Sequence, residues 1–117
     1  MRITGGTCRG RNIKVPATGL RPTADMVRQA LFNILGPLQD AAVLDLYAGS
    51  GAVGLEALSR GAGAVVFVEQ DRRAASVIAL NLRLLEFSCR VVTGTVVRFL
   101  AAREEQVFDL IFMDPPY

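Results

Sequence analysis

The chain predicts an α/β fold built on a parallel sheet. Three observations carry that expectation. Short apolar runs of strand length alternate with helical segments, the pattern of a parallel sheet with right-handed crossovers. A glycine loop, Ala48-Gly49-Ser50-Gly51-Ala52-Val53-Gly54, joins one such run to a helix. Acids stand where two other runs stop, Glu69 after Ala64–Val68 and Asp114 after the apolar stretch Val107–Met113.

From the N-terminus, Arg2 to Val15 reads as a hairpin arm with Gly5, Gly6 and Gly10 inside it, and residues 16–20 as a linker. Thr23 is expected to cap a helix whose apolar face is Val27, Ala30, Leu31, Ile34 and Leu35. Gly36-Pro37 ends it. The core follows as strand 42–47, helix 52–60, strand 64–69, helix 72–86, strand 90–94, a short helix 95–102 and a buried strand over 107–114. A length of 117 residues fits one domain, 21–117, behind a basic arm, 1–20.

The chemistry sits at the strand ends. Gly49 and Gly51 let backbone approach a ligand, and Gly54 lets the helix pack on the strand. The G-x-G-x-x-G spacing alone suggests NAD or FAD. Asp45 argues otherwise, because a carboxylate beside the loop suits a cationic or amine-bearing ligand and repels a pyrophosphate. Glu69 lies about 20 residues past the first glycine, where an acid accepts from ribose hydroxyls; the alternative is a solvated strand-end acid. In Asp114-Pro115-Pro116-Tyr117, two prolines remove N–H donors, leaving carbonyls and a carboxylate as acceptors. The tyrosine adds a ring for stacking. Such a pocket suits the exocyclic amine of a nucleobase, and the alternative is a plain proline turn.

Composition narrows the classes. The chain is 51% hydrophobic, yet no run is long enough to span a membrane, and Met1-Arg2-Ile3-Thr4-Gly5 has no signal-peptide core. Cys8 and Cys89 lack metal-ligand spacing and read as reduced thiols of a cytoplasmic protein, with no metal expected. The absence of histidine excludes a histidine general base. The net charge of +2 divides into +5 over residues 1–28 and −3 over the rest. Arg2, Arg9, Arg11, Lys14, Arg21 and Arg28 are therefore the expected RNA-phosphate contacts. Lys14 is the one lysine, and arginine favours bidentate phosphate contact. The alternative is a solvated hairpin with charged faces.

The run Val43–Gly61 resembles the S-adenosylmethionine loop of class I methyltransferases. With Phe67-Val68-Glu69, Asp114-Pro115-Pro116-Tyr117, Arg9-Gly10-Arg11 and Arg21-Pro22-Thr23, the whole chain closely resembles the RsmD family. The resemblance implies a Rossmann-like class I methyltransferase sheet, here its N-terminal half only, because family members continue for several more strands and helices. The chain is accordingly expected to be truncated, with the strand before Asp114 at an exposed sheet edge. It implies a bacterial enzyme that moves a methyl group from S-adenosylmethionine to the N2 amine of a guanine in small-subunit ribosomal RNA or its assembly intermediate. Asp114 and the Pro115 carbonyl would hold the amine, beside Pro116, and Tyr117 would stack. Asp45 would lie near the methionine amine; Ala48, Gly49, Ser50 and Gly51 would line the cofactor; Glu69 would hold the ribose and Gln70 would flank the adenine. After the third strand many relatives carry Asp or Asn, where this chain has Thr95 and Val96: the Thr95 hydroxyl would accept one bond from adenine and the Val96 backbone would cover it. Arg21, Thr23 and Arg28 flank the helix start, where an anion is favoured, either the cofactor's methionine carboxylate or an RNA phosphate, and Thr23 would lie beside the cofactor cleft. The competing readings are a DNA amino-methyltransferase, an NAD enzyme, and a remnant that binds RNA or cofactor without turnover.

Overall fold

A computed structural model describes residues 1–16, 24–102 and 106–115. Arg21, Thr23, Pro116 and Tyr117 lie outside the described residues, as does most of the expected linker. The elements are α1 (Asp25–Leu35), β1 (Ala42–Leu46), α2 (Ala52–Ser59), β2 (Ala64–Glu69), α3 (Arg72–Leu84), β3 (Arg90–Thr93), α4 (Val96–Ala101) and β4 (Leu110–Met113). The sheet is parallel throughout, in the order β3-β2-β1-β4. Chain order therefore runs outward from β1 to β3, then returns to the other side of β1.

Side-chain alternation divides the core into two layers. Val43, Val65 and Phe67 face α2 and α3, where Leu55, Leu58, Ile78 and Leu82 complete the larger cluster. Leu44, Leu46, Val66 and Val68 face the other way, against Val96 and Phe99 of α4. Gly54 lets α2 lie close on β2, since a Cβ there would sit 2.2 Å from Cε1 of Phe67. The expected strand over 107–114 shortens to four residues, and none of them is buried. Among the described residues β4 is an edge strand of the sheet, and Ile111 and Met113 stand mostly exposed. Asp109 closes its start: its N–H donates to the Ala42 carbonyl at 2.8 Å, and its Oδ2 accepts from the Ala42 N–H at 2.8 Å.

Among the described residues the N-terminal arm makes one antiparallel bridge, Arg2 to Asn12, and is packed down on the domain. Ile3, Cys8 and Ile13 are buried in the larger cluster. Glu56, in the middle of α2, receives the arm: its carboxylate accepts from the Thr4 N–H at 3.0 Å and the Gly5 N–H at 3.0 Å. Arg60 pairs with the same carboxylate at 2.9 Å and Arg28 at 3.4 Å. Burial pushes the Glu56 carboxyl upward, but Arg60 and the Thr4 N–H outweigh it and hold the group below its ordinary range.

That carboxylate also corrects two expectations about α1. Arg28, expected on RNA, is fully buried, pairs with Glu56 and with Asp25 at 2.9 Å, and donates to the Arg2 carbonyl. A buried carboxylate demands a cation, and Arg28 turns inward to meet it. Phe32, one turn on, follows it into the core. The expected inward face is rotated off: Val27, Ala30, Ile34 and Leu35 are exposed, and Leu31 is half-buried. The cap position is Ala24, without a side-chain cap bond, and the expected cap residue Thr23 lies outside the described residues.

Candidate active site

The carboxyl ends of β1, β2, β3 and β4 open into one cleft of about 910 Å³. It lies where the chain reverses direction across the sheet, the position at which open α/β sheets bind ligands. Its volume is at the upper end of ligand sites, enough for more than one small group.

Each wall has a local cause. Tyr47 follows β1 with φ of 57°, an uncommon conformation for a bulky residue, and turns the chain sharply into the glycine loop. Gly49 also has positive φ, and a Cβ there would meet nothing within 4 Å, so its face is open to the cleft. The Gly49 N–H donates to Glu69 Oε1 at 2.8 Å and the Asp71 N–H to Oε2 at 2.8 Å. Glu69, buried at the end of β2, thus anchors both the loop and the start of α3 before any ligand arrives. Asp45 is buried at the end of β1 and accepts from the Gly54 N–H at 3.1 Å. Loss of water around it, reinforced by the negative charges of Glu69 and Asp114, pushes its carboxyl up to about 8. Glu69 and Asp114 bring negative charge to this cleft, and a cation seated there would favour the ionised form of Asp45 as well.

The cleft brings together Asp45, Ala48, Gly49, Ser50, Glu69, Gln70, Val96, Asp114 and Pro115 from the expected set. Two expected residues take other duties. Gly51 does not line it: Gly51 is the N-cap position of α2 with φ of 81°, and a Cβ there would press on Ile78 at 3.1 Å. Its bareness serves helix packing rather than ligand approach. Thr95 caps α4, its hydroxyl accepting from the Arg98 N–H at 3.1 Å, and the cleft is lined instead by its neighbours Gly94 and Val96. Residues the sequence reading missed complete the walls: Val15 and Pro16 from the arm, Val27 and Leu31 from α1, Tyr47, and Phe112 and Met113 from β4. Their signal was weak, because an apolar residue near a strand end looks like any core residue.

Arg2, Arg9, Arg11 and Lys14 are exposed along the arm, outside the cleft. Arg11 donates to the Leu84 carbonyl at 3.0 Å, at the end of α3. Among the described residues no cluster of His, Cys, Asp and Glu could hold a metal ion, and no helix is long and apolar enough to cross a membrane.

The S-adenosylmethionine that the family resemblance implies carries a sulfonium, an ammonium and a ribose. The residues present fit it: buried Asp45 and exposed Asp114 for positive charge, Glu69 for hydroxyls, and open space over Gly49. A family model described as "Conserved hypothetical protein 95" matches residues 1–117. The chain is 46% identical over 120 residues to "Ribosomal RNA small subunit methyltransferase D" of Escherichia coli, covering all of this chain and 60% of that protein. It superimposes on the structure named "Putative methyltransferase yhhF from Escherichia coli" with a TM-score of 0.91 and 42% identity, covering 100% of this chain and 64% of the other. A more distant structure, "SMU.776, a putative methyltransferase complexed with SAH", matches with a TM-score of 0.66 and 25% identity over 79% of this chain and 25% of its own. The chain thus spans about 60% of the length of the curated relative it matches.

Proposed function

The chain belongs to the conserved hypothetical protein 95 family, and from that premise we propose that it methylates small-subunit ribosomal RNA at the N2 amine of a guanine, with S-adenosylmethionine as donor. The observation that carries the reading is the meeting of Asp45, Gly49 and Glu69 with Asp114 and Pro115 in one cleft. The first three make a cationic-nucleoside site, and the last two offer acceptors to an amine beside it. The names of the relatives support ribosomal RNA as the substrate class, and the exposed cations of the arm support contact with its phosphates.

When bound, S-adenosylmethionine supplies a methyl group already activated on sulfur. The protein's work is then placement. Asp45 and the loop backbone hold the cofactor's charged end, and Glu69 orients its ribose. Asp114 and the Pro115 carbonyl accept from the target amine, and Asp114 takes up the proton as charge develops on nitrogen. Tyr117 would stack on the base, which must leave its own stack to reach the cleft. The NAD reading loses support here: Gly54 N–H, in the first turn of α2, donates to Asp45, and Gly49 N–H donates to Glu69, so carboxylates occupy donors that a pyrophosphate would need.

Calorimetry with S-adenosylmethionine and S-adenosylhomocysteine, then methyl transfer to small-subunit RNA, its ribosomal-protein complex and DNA, tests the proposal. Asp114→Ala is expected to lower the transfer rate on the order of a hundredfold while cofactor affinity stays nearly constant. Full RNA methylation by that variant, or transfer to DNA alone, would overturn it.

A further inference from the structure

The glycine loop and the basic arm are far apart in sequence, yet one side chain holds both. Asn81, in the third turn of α3, is only 1% exposed. Its Oδ1 accepts from the Lys14 N–H at 2.8 Å. Its Nδ2 donates to the Lys14 carbonyl at 3.0 Å and to the Ser50 carbonyl at 3.3 Å. The amide therefore satisfies Lys14 as a neighbouring strand would, and reaches the loop with its remaining donor. A buried amide left with an open donor or acceptor is costly, so withdrawing either the arm or the loop is penalised at the same atom group. Val15 and Pro16, immediately after Lys14, line the same cleft as the loop residues Gly49 and Ser50. Two walls of one cleft are pinned to a single amide.

We propose that Asn81 is a positioning residue that couples the arm to the glycine loop, so that a ligand seated in the cleft orders the arm and an arm held by RNA favours the ligand-binding shape of the loop. The proposal rests on the reading of the cleft as the cofactor site. Linkage makes the effect reciprocal: whatever ordering the cofactor imposes on the arm, RNA returns as cofactor affinity. The bond from Arg11 to the Leu84 carbonyl fastens the arm to the same helix but not to the loop, so it cannot substitute for Asn81.

Amide hydrogen exchange of Lys14, followed by NMR on the full chain with and without saturating S-adenosylhomocysteine, tests this once calorimetry has been run with the same compound. The Thr4 amide, held by Glu56 on the far side of α2, is the internal reference. Binding is expected to slow Lys14 exchange about fivefold or more, the low end of coupling between sites, with a smaller change at Thr4. In Asn81→Ala the Lys14 response should disappear while Thr4 keeps its protection. The wild-type measurement stands by itself if that variant does not fold. Binding with no change at Lys14, equal slowing at both amides, or a Lys14 response that survives in Asn81→Ala would overturn the coupling while leaving the cofactor site intact. No binding heat would overturn the reading of the cleft and the coupling with it.

Discussion

Asp45 is where a single residue sets a measurable property. Folded, its carboxyl is raised to about 8 from an ordinary 3.8, chiefly by burial, so the folded chain keeps a proton that the unfolded chain releases. Stability from this group is whole below about pH 4 and falls as pH rises toward 8. Asp45→Asn keeps an acceptor for Gly54 and removes the titration. The difference in urea stability between variant and parent should therefore grow with pH across that window, by up to ~1.4 kcal/mol per unit, in favour of the variant. Glu69 gives a second test. Its two oxygens already accept from Gly49 and Asp71, so Glu69→Ala loosens the loop as well as removing a ribose acceptor. Cofactor affinity measured by calorimetry should drop by about 1.5–3 kcal/mol. Glu69→Gln should lose nearly as much, because one of its amide ends would face an N–H. Parent-like affinity in either variant would remove Glu69 from the site.

At the scale of elements, α2 is the hinge of the design: its first turn closes on Asp45, its middle seats the arm, and one face lies flat on β2. Gly54→Ala would drive a methyl group into Phe67, 2.2 Å from Cε1. The expected cost is ~1–3 kcal/mol by overpacking, read in urea melts, and Phe67→Leu in the same chain should recover part of it. A neutral Gly54→Ala would mean that helix and strand sit further apart than described. Glu56 tests the other face. Removing its carboxylate leaves Arg28 and Arg60 without their shared partner and the Thr4 and Gly5 N–H groups without an acceptor. Glu56→Ala should cost about 3–5 kcal/mol, the range for breaking a buried pair, and acid should destabilise the parent more than the variant. The sign follows from the depressed carboxyl: its contribution is present above the ordinary carboxylate range and is lost as pH falls through the folded value.

For the whole molecule, charge and packing divide the labour along the arm. Its apolar residues Ile3, Cys8 and Ile13 enter the core, while Arg9, Arg11 and Lys14 stay exposed. Replacing those three with alanine should flatten the salt dependence of RNA binding by about 0.7–0.9 in slope per lost contact. Arg11 already serves the Leu84 carbonyl, so a loss equal to two contacts is expected rather than three. Cofactor affinity in the absence of RNA should not move, since the Lys14 bonds to Asn81 come from its backbone. An unchanged slope would put these cations on a merely solvated face.

Much of this architecture was legible in one dimension. Each core strand and helix falls within a few residues of its expected span, because period and strand length are local properties of the chain. The glycine loop, Asp45, Glu69 and Asp114-Pro115 were legible for the same reason: each belongs to a short contiguous motif at a strand end. What escaped depends on partners distant in sequence. Arg28 reads as a surface cation until Glu56 is seen beside it, 28 positions away. Thr95 reads as a ligand acceptor until its hydroxyl is found capping α4, and Gly51 as a ligand-facing glycine until Ile78 is found against it. Asn81 carries no signal at all in its own neighbourhood, for its partners Lys14 and Ser50 lie 67 and 31 residues away. The sequence by itself determined which elements form and what chemistry stands at their tips. Only the tertiary structure decided which polar side chains turn inward, because a buried charge or amide goes where its hydrogen bonds can be completed, and that is settled by the packing of elements rather than by their order along the chain.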